Sequence, residues 1–401
     1  MKHVWNWKGQ RPQSGWRSVF DLRVSWLKTD WSIVLLSLAL ISISLLFVTT
    51  MDDVDANYGR SDVSFSSHLK KFVVASPFLF VGYFLRARWL RKNAWLVYLL
   101  VIALLIAVPF VGAERNNARR WIALPLAGFD LQPSELAKVG LIIMLARVLY
   151  RNRLQSLKDW VLPSLIALLP IMLVMSQPDL GTALTIVPVA LGMFWLAGAR
   201  GAVLSSLCLG GLVLGSLAYQ NDWVQGYQQK RIEVWINCFE PQALIDQRNG
   251  SPFHSYMSRT SIGNGGVWGT GLGKGVANEA GHLPERDCDS IFAVIAEETG
   301  FVGAAGIVAL YFLYSTLLLA AAARTRERFA RLVVGGVGLF FAAHFFINVS
   351  VNLGLVPMTG LTLPLISTGG SSLMASFTAL GLALGLSARR ERSLDMDAFS
   401  D

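Results

Sequence analysis

The sequence predicts an all-α polytopic membrane protein, with about ten transmembrane helices and a large extracytoplasmic loop between helices 7 and 8. Three observations predict it. Hydrophobic residues make up 53% of the 401 positions and charged residues only 15%, against about 25% charged in a soluble domain. Apolar runs recur at lengths that suit the roughly 20 residues a helix needs to cross the hydrocarbon core. Lys and Arg gather in alternate connections between those runs. With a mean hydropathy of +0.48, the composition excludes an ordinary soluble enzyme and a disordered chain.

In order, the runs lie near 31–50, 72–86, 95–112, 136–150, 160–176, 181–198, 202–219, 290–320, 332–352 and 371–388. The second and fourth are short, which implies extension or tilt. The eighth is long, and Gly300, Gly303 and Gly306 are placed to break it. The first begins after about thirty polar, basic and Trp-rich residues with no small-residue cleavage site, so no cleavable signal peptide is expected. The chain divides into a cytoplasmic N-terminal segment (1–30), one membrane domain (31–388, with 220–289 as its large outer loop) and a cytoplasmic tail (389–401).

The charges orient these spans. Of the 35 Lys and Arg, 22 fall on one side: in residues 1–30, 86–92, 147–158, 324–331, Arg200 and the tail. By the positive-inside rule that side, which holds both termini, is cytoplasmic. Only eight of the 26 acids share it. The net charge of +9 is therefore mainly an orientation signal. The basic flanks suit anionic membrane lipid, and nucleic acid is not needed to explain them. Of three Cys, Cys208 falls in a span, whereas Cys238 and Cys288 share the outer loop. A bridge between those two is open in an oxidising periplasm, and two free thiols is the alternative. No Cys/His spacing for zinc is present.

Ionisable groups at membrane depth cost several kcal/mol, roughly 2.5 or more each, so each is a candidate site. Glu135 and Lys138 in Gln132-Pro133-Ser134-Glu135-Leu136-Ala137-Lys138 share one helix face at i,i+3 spacing; a structural ion pair is the plainer reading. Asp179, before the sixth span, is placed to cap it. The outer loop holds Arg115, Arg119 and Arg120 against the charge trend. The guanidinium fork matches phosphate, and lipid headgroups are the competing ligand. A basic stretch at Lys230-Arg231 and a glycine run from Ile262 to Gly275, containing Lys274, follow in the large loop. The run lacks the Walker pattern. It reads either as backbone that approaches a ligand closely or as a flexible loop.

Acids cluster at Glu285, Asp287 and Asp289 before the eighth span. Asp289, the last of them, is placed to be partly desolvated, which suits a general base; an N-cap is compatible with the same position. The last outer loop, 353–370, carries no charge, and is expected to fold back at membrane depth, packed in protein or lining a cavity. These features fit an enzyme acting on an amphiphile with an anionic outer headgroup, and equally a transporter with a midplane site.

Five motifs in this order resemble the SEDS family (shape, elongation, division and sporulation): Ala118-Arg119-Arg120-Trp121-Ile122, Gln132 through Lys138, Gln177-Pro178-Asp179-Leu180-Gly181-Thr182, Leu283-Pro284-Glu285 with Asp289, and Pro357-Met358-Thr359-Gly360 through Ile366-Ser367-Thr368-Gly369-Gly370-Ser371-Ser372. The matches span roughly residues 30–390. The chain departs from the family pattern where Asp287-Cys288-Asp289 stands for His-Thr-Asp, Thr368 for Tyr, Asn264 for Ser, and Phe253-His254 for Tyr-Gln.

The resemblance implies a peptidoglycan glycosyltransferase that polymerises lipid II at the outer face of the cytoplasmic (inner) membrane, for elongation or division. It implies a class B penicillin-binding protein as transpeptidase partner, within the elongation or division complex. Catalytic roles carry over to Asp289 as base and to Glu135 and Lys138, with Asp287 as a rival base. Arg119, Arg120, Asp179, Arg231, Lys274 and Ser371 are the expected substrate-binding residues. No cofactor is required; a divalent cation (Mg or Mn) on the pyrophosphate is compatible, but no ligand set is legible. A lipid II flippase and a noncatalytic scaffold are the alternatives.

Overall fold

The computed structural model describes residues 19–20, 28–61, 63–115, 118–124, 129–177, 179–221, 226–236, 251–280 and 283–389. Cys238, Pro178 and most of the expected N-terminal and C-terminal cytoplasmic segments lie outside the described residues. Ten long helices correspond to the ten apolar runs. They are α1 (Trp31–Asn57), α2 (Phe65–Phe84), α3 (Ala87–Val111), α4 (Pro133–Leu149), α5 (Leu157–Ser176), α6 (Leu180–Ala197) and α7 (Gly201–Gln220), then α11 (Ile291–Arg324), α12 (Arg328–Asn352) and α13 (Gly370–Ala388). Shorter helices α8 (Gly226–Ile236), α9 (Ser251–Asn264) and α10 (Val276–Ala280) build the region ahead of α11.

Eight of the ten are long and apolar enough to cross a membrane. The other two are α2, which carries Lys70 and Lys71, and α4, which has 17 residues and carries Glu135 and Lys138. Packing supplies what hydropathy does not. Along α4, 14 of the 17 residues are buried, and α13 is buried along almost its whole length. No residue of α7 is buried, so its apolar surface is left for lipid.

The tightest crossing joins α2 to α13. Gly381 and Gly385 form a Gly-x-x-x-Gly pair, and a Cβ on either would collide with the carbonyl of Leu79 or Tyr83. In return, a Cβ on Gly82 would stand 2.6 Å from the Thr378 carbonyl oxygen. Small residues at such a seam let backbones approach, which is how helices gain dispersion contact where lipid removes the hydrophobic drive.

Charged side chains tie the loops together at one end: Arg91 to Glu327 at 3.5 Å and Arg324 to Asp30 at 3.1 Å. Arg328 donates to the carbonyls of Asn152 and Ala197 there. This is the end that carries the basic loops.

At the other end the connections are folded rather than loose. Residues 113–131 form a small antiparallel sheet of β1 (Ala113–Arg115), β2 (Ala118–Leu124) and β3 (Phe129–Leu131), in the order β1-β2-β3. The uncharged segment 353–369 is packed in protein, as expected from its composition. Its Leu361, Leu363, Leu365 and Ile366 are buried. Its carbonyls at Pro364 and Ile366 accept from Tyr311 of α11 and Ser44 of α1, so irregular backbone at depth is satisfied by span side chains.

The glycine run does not hang free; it packs along α11 where that helix breaks. Gly300 has φ 70°, outside the helical region. Gly269, at φ +83°, approaches so closely that a Cβ there would overlap the backbone of Glu298 and Thr299. Thr270 N and Gly271 N donate to the carbonyls of Glu297 and Glu298, each at 3.0 Å. The glycines exist to let one chain lie on another, a use of missing side chains that composition does not distinguish from flexibility.

A Gly381→Val substitution is expected to lower stability by about 1–3 kcal/mol through overpacking, read as a fall in the thermal unfolding midpoint in detergent. Gly210→Ala on α7, where an added Cβ meets nothing within 4 Å, is expected to leave that midpoint in place.

Candidate functional site

A cavity of about 660 Å³ opens at the end opposite the basic loops. The sheet, α8, α9 and the 353–369 segment bound it, over the upper ends of α2, α4, α6 and α13. Asp289, Glu135, Arg120, Asp179, Arg231 and Ser371 all line it. Three other expected residues do not. Lys138 lies beneath Glu135. Arg119 is exposed on β2, whereas Arg120 beside it, at an irregularity in the pairing with β1, is half-buried. Lys274 is exposed on the glycine run, whose Gly273 lies near Val54 and Thr50 of α1. Arg119 and Lys274, expected as cations for the pyrophosphate, do not line the cavity.

Asp289 is held through its backbone. Its carbonyl accepts from Asn348 Nδ2 at 3.0 Å and Asn352 Nδ2 at 2.9 Å, both on α12. Ser290, not Asp289, stands at the N-cap of α11. The Asp289 side chain is thereby left to the cavity. Its Oδ1 is buried without a hydrogen bond and lies 3.5 Å from His254 Nε2, an ion-pair distance. The rival Asp287 is engaged elsewhere: its carboxylate accepts from Thr368 Oγ1 and its carbonyl from Thr368 N at 3.0 Å. Thr368, where the family pattern has Tyr, thus occupies the other acid.

Glu135 forms the floor. Pro133 at the start of α4 places it in the first turn, where an acid complements the helix dipole. Lys138 Nζ donates to Glu135 Oε1 at 2.7 Å and lies 2.6 Å from His344 Nε2. Phe340 lies under the ammonium at 5.6 Å. The other carboxylate oxygen, Oε2, is buried without a partner and faces a cavity wall. Asp179 caps α6, accepting from Thr182 N at 3.1 Å, Thr182 Oγ1 at 2.9 Å and Gln132 Nε2 at 3.0 Å. It organises the site's entry loops with oxygens already engaged. Ser371 does similar work, donating to the Asp130 carbonyl at 2.6 Å and accepting from Gln132 N at 2.8 Å.

Cations and acids line the same cavity. Arg120 is anchored by Nε on the Gln177 carbonyl at 3.0 Å, and Arg231 by Nη1 on the Met358 carbonyl at 3.1 Å. Lys71 of α2 lines the cavity too. Loss of hydration pushes the Glu285 carboxyl up, with the charges of Asp289 and Asp287 adding to the effect and those of His254 and Lys71 opposing it. Burial pushes the Cys288 thiol well above its ordinary value. Glu285, Asp287 and Cys288 bring one ligand atom each within 4.8 Å of one another. Asp287 and the Cys288 thiol both also meet Thr368 Oγ1.

Sequence reasoning missed Lys71, Asp130 and His254 as cavity residues. Lys70-Lys71 on the outer side carried a faint signal, since it runs against the charge trend. His254 carried none beyond its departure from the family pattern.

Comparison with known proteins follows the same outline. The FtsW/RodA/SpoVE family model, described as "Cell cycle protein", matches residues 30–392. The probable peptidoglycan glycosyltransferase FtsW of Trichlorobacter lovleyi is 32% identical over 368 residues, 90% of this chain and 93% of that protein. The peptidoglycan glycosyltransferase MrdB of Escherichia coli is 34% identical over 300 residues, 74% of this chain and 78% of that one. A solved chain from a peptidoglycan synthase complex that coordinates polymerization and crosslinking superposes with a TM-score of 0.76 at 29% identity, covering 92% of this chain and all of that one.

Removing the ammonium from the floor should expose the cost of an unpaired buried carboxylate. Lys138→Met is expected to destabilise the protein by about 3–5 kcal/mol. The double variant Glu135→Gln/Lys138→Met is expected to recover much of that loss, with thermal unfolding as the measurement. Equal destabilisation by the single and double variants would contradict the pairing.

Proposed function

This chain belongs to the FtsW/RodA/SpoVE family of cell cycle proteins, and on that premise we propose that it is a peptidoglycan glycosyltransferase, polymerising lipid II into glycan strands at the outer face of the bacterial cytoplasmic membrane. The observation that carries the reading is one cavity at the outer end that combines the open Asp289 carboxylate with Arg120, Arg231 and Lys71. A transfer from a lipid pyrophosphate needs those two chemistries together: a base for the acceptor hydroxyl and cations for the leaving group.

In this reading the 4-hydroxyl of the acceptor N-acetylglucosamine attacks the anomeric carbon of the donor sugar. A new carbon–oxygen bond forms there as the bond to the pyrophosphate oxygen breaks. The lipid pyrophosphate leaves with the electron pair, and the hydroxyl proton passes to Asp289. A positioned base contributes roughly 10²–10⁴-fold. Arg120, Arg231 and Lys71 stabilise the departing negative charge, the electrostatic contribution that is usually largest. Lys138 acts through Glu135, holding that carboxylate in the floor. Asp179 and Ser371 hold the loops that carry Arg120 and Gln132.

The multi-pass bundle sits in the cytoplasmic membrane with both termini inside, as the 22 basic residues on that side and the positive-inside rule support. Its partner is a class B penicillin-binding protein that crosslinks the nascent glycan, in keeping with the synthase complex whose chain it resembles. The elongation or division machinery supplies the context.

Purified protein with its transpeptidase partner is expected to convert labelled lipid II to long glycan. Asp289→Asn should cut that rate by about 10²-fold or more. Wild-type rates from the variant would remove Asp289 from the mechanism. Movement of lipid II across vesicles without new glycosidic bonds would favour the flippase instead.

A further inference from the structure

His254 is a buried ionisable group beside the reacting carboxylate that the mechanism above leaves unused. It sits on α9, where the family pattern has Gln. Nε2 lies 2.8 Å from the Pro284 carbonyl, 3.0 Å from Ser290 Oγ and 3.5 Å from Asp289 Oδ1. Nδ1 lies 3.2 Å from Met358 Sδ. A carbonyl and a thioether can only accept. A neutral ring sets one nitrogen lone pair against one of them. A doubly protonated ring donates to both and places its charge beside Asp289.

We propose that His254 is a positioning residue for the transfer reaction, an imidazolium that orients the Asp289 carboxylate and sets a positive charge beside it at acid pH, which glutamine at that place would not do. The inference rests on the polymerase reading of the cavity. The surrounding charges agree with it. Burial alone would lower the His254 pKa, but the Asp289 carboxylate beside it, the Pro284 carbonyl and the charge of Glu285 outweigh that effect and hold it above the ordinary histidine value. On the elements packed against α9, Arg231 of α8 lies beyond Met358, engaged with that residue's carbonyl. Glu297 and Glu298 of α11 and Glu279 of α10 gather toward the far end of α9, where Asn264 donates to Glu297 at 3.4 Å. α12 presents Asn348 and Asn352, neither of which titrates.

The sign follows. The imidazolium is present below the raised His254 value and is lost as pH climbs through it. Its effect on the neighbouring carboxylate is therefore present at acid pH and is lost toward alkaline pH.

Two measurements test this on the full chain with its partner. In ring-¹⁵N histidine spectra, the resonance that vanishes in His254→Gln is assigned to His254. Its titration midpoint is expected to drop by about one pH unit in Asp289→Asn; an unchanged midpoint overturns the pairing. In the lipid II assay, His254→Gln is expected to lose about tenfold more activity than wild type between pH 8 and pH 5.5, its acid limb shifted by about one unit. Parallel profiles overturn the role even if overall rates differ. The spectra need no turnover, so a midpoint that drops in Asp289→Asn together with a wild type that makes no glycan counts against the polymerase reading and leaves the pairing standing.

Discussion

The site hangs on two amides. Asn348 and Asn352 sit one turn apart on α12 and converge on a single acceptor, the Asp289 carbonyl. Asn348 Nδ2 also donates to the Leu361 carbonyl at 2.6 Å. Three elements distant in sequence therefore meet at one point: the start of α11, the end of α12 and the uncharged segment before α13. A buried carbonyl left without donors costs roughly 1–3 kcal/mol, so this convergence fixes where the chain must pass. With the backbone held, the Asp289 side chain has one direction left, into the cavity.

A second layer of polar pairing holds the segment that leads to Asp289. Arg286 ion-pairs with Asp55 at the end of α1 and donates from Nη1 to Asn278 O and Oδ1, both at 2.8 Å. Arg60 adds a contact to Asp55 at 3.2 Å and reaches the carbonyls of Asn278 and Glu279. Glu297 and Glu298 secure α10 from below through Ala277 N and Asn278 Nδ2. Buried ions are a poor source of stability in themselves. Their value here is geometric: they tie α1, α10 and the 283–289 segment into one cap over the span ends, so the acids that face the cavity do so from a braced loop.

Much of this was legible in the residues, and the failures are as informative. Ten helices fall where ten apolar runs predicted them, because length and hydropathy are the physical requirement for crossing lipid. The uncharged loop was legible for the same reason: a bilayer forbids exposed polar backbone. The small sheet was not, since strands of three and seven residues rich in Arg carry no alternating apolar pattern. Arg119 and Lys274 were expected as cations for the pyrophosphate, and charge says nothing of direction. Lys71 and His254 gain their meaning from neighbours more than a hundred residues away in the case of Lys71 and Asp289, a relation no local spacing encodes. The packing of the glycine run was not legible because close packing and looseness share a composition.

Gly300 has a mechanical consequence. α11 is 34 residues long, about 51 Å at the rise of an α-helix, well beyond a bilayer core of about 30 Å. The break divides it into an upper rod buried in the protein cap from Ile291 to Glu298 and a lower rod with more exposed faces. The glycine run braces the break from outside, Gly266 and Val267 accepting from Phe301 N and Val302 N at 2.9 and 3.2 Å. The upper rod answers to α9, α10 and α12. The length that must match the bilayer and the length that leads to Asp289 are in this way two rods of one helix, joined at a braced corner.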